Sequence, residues 1–415
     1  MPGIHRERPG ADAMAPADGS PARPIADGVW MSSGLSNSYL LTTDAGRIVV
    51  NTGMGFEGPL HRRAYDAVAP GPTHTILLTQ GHYDHVGGVD TFRDAATEVV
   101  MHADYAIWRA DNERLETFRS RNAAFAWIDA IVAAMEHARS LGTGAVAQSR
   151  PEPTRTFTDT VDLEIGGRRL TLISVPGGET TDSMVIWSPE DRTAFTGNMF
   201  GPLFGHVPNL VTIRGDRYRD ALDYIASLER VLALAPARLV TGHFDPIDGE
   251  DRIAEEIIAM RDAMAWVHDR TVDGMNEGRD VHTLMREITT PSHLDVGEGY
   301  GRTAWNVRAI WEHYAGWFHH RSTTELYGVP AAAVAPDIVR AAGADALAAA
   351  AADHLAAGRP VEAIHLTDLV LTAVPDHTAA RRVAIDAHGA LLGGSRNFWE
   401  AAWLRRSITK LGGTP

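Results

Sequence analysis

His82, Asp84 and His85 lie close together in the stretch Thr79-Gln80-Gly81-His82-Tyr83-Asp84-His85-Val86-Gly87-Gly88. Imidazoles and a carboxylate at that spacing suit zinc, and also iron or manganese. Alone, the stretch reads equally well as a polar surface loop. Three later groups add weight, each a short polar motif ending an apolar run. Pro176-Gly177-Gly178-Glu179-Thr180 ends LTLISV, Gly197-Asn198 ends TAFT, and Gly242-His243 ends RLVT. Singly, each is a glycine turn with a solvated polar residue. Together and in this order they supply further oxygen and nitrogen donors. The chain has no cysteine, so thiolate ligands, cysteine nucleophiles and disulfides are excluded.

The elements around these motifs must bring them to one place. Residues 38–42 and 47–51 read as strands joined by a turn at Asp44-Ala45-Gly46, and residues 60–68 as a helix. Residues 74–79 form a short apolar run that fits a buried strand. The His82-Asp84-His85 stretch then falls in a loop at that strand's C-terminal end. After a strand at 98–101, residues 103–141 read as helical, with Trp108, Leu115, Phe118, Phe125, Trp127 and Ile131 as apolar anchors. Such an excursion beside a ligand loop is either a lid or a packing element. Strands return at 161–165, 169–175, 183–187 and 193–196, with turns at Gly166-Gly167 and Pro189-Glu190-Asp191. A helix at about 216–234 and a strand at 238–241 follow, and helical pattern dominates from about 250. Trp305, Trp311, Trp317 and Phe318 recur at helical spacing and are expected as core. Alanine-rich segments at 341–357, 360–374 and 377–392 have the length of paired helices, like one or two tetratricopeptide-type hairpins.

The 415 residues are too many for one ordinary core, which favours two domains. Acidic residues outnumber basic ones 53 to 38, for a net charge of −15, which disfavours nucleic acid as a partner. No apolar run is long enough to span a bilayer. The first residues, MPGIHRERPGADAMAPADGSPARPIAD, carry no apolar h-region and read as a flexible tail, 1–27. The protein is therefore expected in the cytoplasm.

The order and spacing of the motifs resemble the metallo-β-lactamase fold, an α/β four-layer αββα sandwich with metals at one edge. The matching positions are Gln80, His82, Asp84, His85, Glu179, Asn198 and His243. Glutamate after Pro-Gly, where the wider family has histidine, is the pattern of the metal-dependent alkyl sulfatases. Asn209-Leu210-Val211-Thr212-Ile213-Arg214-Gly215 is similar to their sulfate-binding segment. Asn306-Val307-Arg308-Ala309-Ile310-Trp311-Glu312-His313-Tyr314-Ala315-Gly316-Trp317-Phe318, with Ala379 to Ala390 and Asn397-Phe398-Trp399, resembles their helical dimerisation domain. The likeness covers about residues 28–410. It implies a catalytic domain at 28–270, an all-α domain at 271–415, and a homodimer. The sequence departs from the pattern at Gln80, usually histidine, at Asn198, often a bridging carboxylate, and at Asn51-Thr52-Gly53, usually Asp-x-Gly. The sterol-carrier-like domain of the alkyl sulfatases has no counterpart before Pro415.

The resemblance implies two half-sites. Gln80, His82 and Glu179 would form the first, Asp84, His85 and His243 the second, with Asn198 between them. Zinc, as one or two ions, is the expected cofactor, and the amide and carboxylate oxygens also admit iron or manganese. The implied chemistry is metal-assisted hydrolysis, with Asp84 orienting water and sulfate leaving. Arg214, with Asn209 and His206 on the same segment, would bind the leaving anion. The small-molecule substrate is then an ester such as an alkyl sulfate. The alternatives are a lactone, thioester, β-lactam or biosynthetic intermediate, or a non-catalytic protein with a degenerate metal site.

Overall fold

Ile48, Val49 and Val50 are apolar in succession because their strand is covered on both faces. Ile48 and Val50 point into one core cluster and Val49 into another. Tyr39-Leu40-Leu41 repeats the pattern. The structure, a computed structural model, describes residues 3–415. They divide into two compact units, the first ending at Tyr314 and the second spanning Ala315–Pro415.

In the first unit, β1 (Arg23–Ala26), β2 (Val29–Ser32), β3 (Ser38–Thr43), β4 (Gly46–Val50), β5 (Thr73–Leu77), β6 (Glu98–His102) and β7 (Arg155–Phe157) form one sheet in chain order. The sheet is antiparallel up to β4 and parallel from β4 to β7. The second sheet holds β8 (Thr160–Ile165), β9 (Arg168–Ser174), β10 (Met184–Ser188), β11 (Thr193–Gly197), β12 (Arg238–Thr241) and β13 (Ile247–Asp248), again side by side in chain order. Only β11 and β12 pair in parallel there. Inner-face residues of both sheets, among them Tyr39, Leu77, Leu172, Ile186 and Phe195, make the central core. The rings of Tyr39 and Phe195 meet edge to face at 5.6 Å.

Helices cover the outer faces. Residues of α1 (Gly58–Asp66), α2 (Tyr83–Val86), α3 (Val89–Phe92) and the start of α4 (Tyr105–Ser140) bury against Leu40, Val49, Ile76 and Val99. On the other side α6 (Glu250–Asn276) packs on β12, β13 and α5 (Ala221–Ala233). The layers are αββα, as the resemblance implied. The fifth helix starts at Ala221 rather than near 216. Asp220 caps it by accepting the N–H groups of Leu222 and Asp223, while Arg217 and Arg219 are drawn away to Asp111 and the Asn209 carbonyl.

The compact units are not divided at residue 270, where the sequence expectation placed its domains. Helix α6 runs unbroken through that residue. With α7 (Val281–Glu287) and most of α8 (Thr303–Ala315) it belongs to the first unit. Asn306 ties α8 in place by accepting the Leu210 N–H at 3.2 Å and donating to the Pro208 carbonyl at 2.8 Å. The N-terminal segment is packed rather than loose. Ile4, Ala11, Ala17 and Ala22 are buried, the Gly3 N–H donates to Asp295 at 2.8 Å, and β1 extends the first sheet. Its small apolar residues give it enough surface to bury.

The second unit holds α9 (Ala335–Ala342), α10 (Ala344–Ala356), α11 (Pro360–Ala373), α12 (Thr378–Gly394) and α13 (Phe398–Lys410). From α10 on, each packs on the next, with Ala348, Ala351, Ala363, Ala380 and Ala387 buried at the contacts. Pro360 opens α11 and the Asn397 side chain caps α13. Of the aromatic residues expected as core, Trp311 is buried but Trp317 is exposed. Among the described residues, no helix is long and apolar enough to cross a membrane.

Candidate metal centre

The motifs converge because strand ends converge. Asn51 follows β4 with φ 56°, and its side chain reaches the chain beyond β5. Its Oδ1 accepts the Thr79 N–H at 3.0 Å and its Nδ2 donates to Thr79 Oγ1 at 3.0 Å. An amide suits this clamp because it both accepts and donates, which an ionised carboxylate does not. Gly197 ends β11 with φ 51°, and a Cβ there would stand 2.2 Å from Thr79 Oγ1. Glycine therefore lets the second sheet's Asn198 approach the first sheet's Gln80. Asp84 and His85 lie not in an open loop but in the short helix α2, where the His82 carbonyl accepts the N–H groups of His85 and Val86.

Asp84, His85 and His243 form one cluster, with their ligand atoms all within 4.8 Å of one another. Asp84 Oδ2 lies 3.5 Å from His85 Nε2 and 3.8 Å from His243 Nε2. The far nitrogens are engaged: His243 Nδ1 meets the Leu35 carbonyl at 2.7 Å and His85 Nδ1 meets Ser36 Oγ at 3.3 Å. The carbonyl can only accept, so His243 carries a proton on Nδ1 and turns Nε2 toward Asp84. His85 Nε2 is buried with no hydrogen-bond partner among the described residues. Burial lowers its pKa to about 4, against the pull of Asp84. Burial pushes the Asp84 carboxyl up, but His85, His243 and His82 outweigh this and hold it below its ordinary value. Two imidazoles, one carboxylate and an orphaned ring nitrogen fit a divalent metal. Asn198 Oδ1 is a second buried atom without a partner, and a Cβ on Gly242 would meet it at 2.2 Å, beside His85.

Gln80, His82, Glu179 and Asn198 also come together, but they satisfy one another. Gln80 Nε2 lies 2.8 Å from His82 Nδ1, and Gln80 Oε1 accepts the Asn198 N–H at 3.0 Å. Asn198 Nδ2 donates to Glu179 Oε2 at 2.9 Å, and that oxygen lies 3.4 Å from His82 Nδ1. Burial works against the Glu179 charge, yet His82, Arg219 and Arg214 hold its pKa well below the ordinary value.

Arg214 reaches this group, with NH2 3.2 Å from His82 Nε2 and Nε donating to Asp216 at 2.7 Å. Burial opposes its charge, but Asp216, Tyr300 and Glu179 raise its pKa further. The two residues expected beside it do not line the cavity below. His206 accepts the Gly299 N–H on Nδ1 at 2.8 Å and packs edge-on against His5, and it does not line the cavity below. It organises its own loop. Asn209 is buried with neither side-chain amide atom partnered, and it too is absent from the cavity wall. Sequence reading missed Ser36 and the Leu35 carbonyl, which have no local signature, and Asp216, which orients Arg214.

A cavity of about 370 Å³ opens over the cluster. Its lining includes His82, Asp84, Glu179, Arg214 and His243, and α4 contributes the apolar Trp108, Ala124, Trp127, Ile128 and Ile131 as well as the polar Asn112, Glu116 and Arg119. Trp108 packs edge-on against His82, their centroids 5.5 Å apart. The long helical excursion thus borders the cavity, which gives it a place in the site as well as in the packing.

Known proteins resemble this arrangement. The model of the metallo-beta-lactamase superfamily matches residues 32–243, and that of alkyl sulfatase dimerisation matches residues 281–407. A linear primary-alkylsulfatase of Pseudomonas sp. is 27% identical over 299 residues, 67% of this chain and 56% of the relative. An alkyl/aryl-sulfatase of Saccharomyces cerevisiae is 24% identical over 416 residues, 94% of this chain and 64% of the relative. The chain thus spans somewhat more than half the length of these curated relatives. The solved structure of a stereoselective inverting sec-alkylsulfatase from Pseudomonas sp. superposes with a TM-score of 0.82 at 20% identity. The match covers 98% of this chain and 70% of that one, and it shows a shared fold.

Proposed function

The chain belongs to the metallo-beta-lactamase superfamily, and on that premise we propose that it is a metal-dependent hydrolase releasing sulfate from alkyl sulfates. The observation that carries this reading is the mixed lining of the cavity. Asp84, His243 and Arg214 line it together with the apolar Trp108, Trp127, Ile128 and Ile131 of α4. A sulfate ester has the same two characters, an anion and an alkyl chain. The sulfatase relatives support this choice over a lactone, thioester or β-lactam.

Asp84, His85 and His243 would hold a divalent metal, whose Lewis acidity would lower the pKa of water toward about 7. Zinc is the ion to load first, with iron and manganese compatible with the same donors. The Leu35 carbonyl and Ser36 fix the two imidazoles for ligation. Asp84 also orients the attacking water. Arg214, braced by Asp216, receives the departing sulfate through its charged N–H groups. Trp108 and the apolar side chains of α4 exclude bulk water from the ester's alkyl side. The helical unit, by its match to the dimerisation domain, serves a homodimer.

Ion chromatography of sulfate tests the reading. Metal-loaded protein is incubated with a panel of primary and secondary alkyl sulfates. Sulfate and alcohol should appear in equal amounts and cease on chelation. A metal-loaded, folded protein that releases no sulfate across the panel sinks the proposal.

A further inference from the structure

His82 has a donor at each ring nitrogen, Gln80 Nε2 at Nδ1 and Arg214 NH2 at Nε2. An imidazole offers at most one ring-nitrogen lone pair, so two donors already compete for it and none is left for an ion. The Gln80 amide cannot simply turn its oxygen inward. That oxygen accepts the backbone N–H of Asn198 at 3.0 Å, and a backbone N–H can only donate. Glu179 Oε2 accepts the Asn198 amide at 2.9 Å, which uses one of the carboxylate's lone pairs. Apart from the Glu179 carboxylate, this half-site therefore presents N–H groups and a guanidinium where a second cation would need lone pairs. It differs sharply from the Asp84 cluster, where His85 Nε2 and Asn198 Oδ1 are buried acceptors without partners.

We infer that the chain holds a single metal ion, at Asp84, His85 and His243, and that Arg214 with the amides of Gln80 and Asn198 takes the second ion's place. Replacing imidazole by Gln80 and a bridging carboxylate by Asn198 removes the donors and the negative charge that two neighbouring dications require. The Arg214 guanidinium, held by Asp216 at 2.7 Å, supplies positive charge without a lone-pair requirement. Asn198 divides its amide between the halves, Nδ2 toward Glu179 and Oδ1 beside His85 and Gly242.

The inference rests on the metal-dependent reading of this site but is tested separately, by metal content. The full chain is dialysed against excess zinc, freed of unbound ion, and examined by native mass spectrometry and elemental analysis. One zinc per chain is expected, lost in His243→Ala and retained in Glu179→Gln. Two zinc ions per wild-type chain overturn the inference, as does none, or one that survives His243→Ala and is lost in Glu179→Gln. Cobalt titration of the wild-type chain answers without a variant: its visible absorbance should saturate at one equivalent, and saturation at two overturns the inference. Two ions with sulfate release would leave the hydrolase standing and this inference refuted. One ion with no sulfate release would do the reverse.

Discussion

Gln80 Oε1 accepts the backbone N–H of Asn198 at 3.0 Å, joining the segment after β5 to the segment after β11. Both residues are buried, so the bond closes a donor that water does not reach. Gln80→Ala should leave that N–H unsatisfied and cost about 1–3 kcal/mol of stability. Urea denaturation measures it, and an unchanged midpoint would show that the bond adds nothing.

Ser36 Oγ contacts His85 Nδ1 at 3.3 Å, on the far side of the ring from Asp84. Ser36→Ala should weaken metal binding roughly 10- to 100-fold by freeing the imidazole's orientation. Competition with a chromophoric chelator reads the affinity directly. Equal affinity in variant and wild type would assign the orientation to packing alone.

Arg214 uses Nε toward Asp216 and NH2 toward His82, so its planar fork serves two directions at once. Lysine keeps the charge but has one nitrogen. Arg214→Lys should lower kcat for an alkyl sulfate by about 100-fold, in the range of losing one oriented donor. A variant with unchanged kcat and a raised KM would place Arg214 in ground-state binding only.

Glu57 is fully buried beneath the N-terminal segment and accepts the N–H groups of Ala17, Leu35 and Met54. Burial raises its pKa from 4.5 to about 7, against those hydrogen bonds. Its folded pKa exceeds its unfolded one, so its stabilising contribution is full below pH 4.5 and lost as pH rises through about 7. Buried His61 runs the other way. Its pKa falls from 6.5 to about 4, and stability is lost as pH falls across that interval. Glu57→Gln removes the first effect and keeps the second. The variant should therefore gain stability relative to wild type as pH rises from 4.5 to 7. Parallel stability curves for the two proteins would contradict the assignment.

Much of the fold was legible because the signals were local. Apolar strand runs such as Leu170–Val175 and glycine-ended motifs such as Gly242-His243 are short and self-contained. The ligand cluster of Asp84, His85 and His243 followed from these strand ends and the family resemblance. What escaped depends on contacts between distant segments. Ser36 beside His85 spans 49 positions, and Arg214 beside His82 spans 132. The packed N-terminal segment was hidden because its composition is that of a loose tail, while its anchors, Asp295 and Glu57, lie far along the chain. His206, expected to bind the leaving anion because it shares a segment with Arg214, accepts the N–H of Gly299 on Nδ1. The helix through residue 270 is continuous, and only its packing against β12, β13 and α5 assigns it to the first unit.

The most direct test of a single-metal alkyl sulfatase is the rate of sulfate release as metal is added back stepwise to metal-free protein. Activity should rise in proportion to added zinc and level off at one equivalent per chain. A plateau only at two equivalents, or no sulfate at any loading, would contradict it.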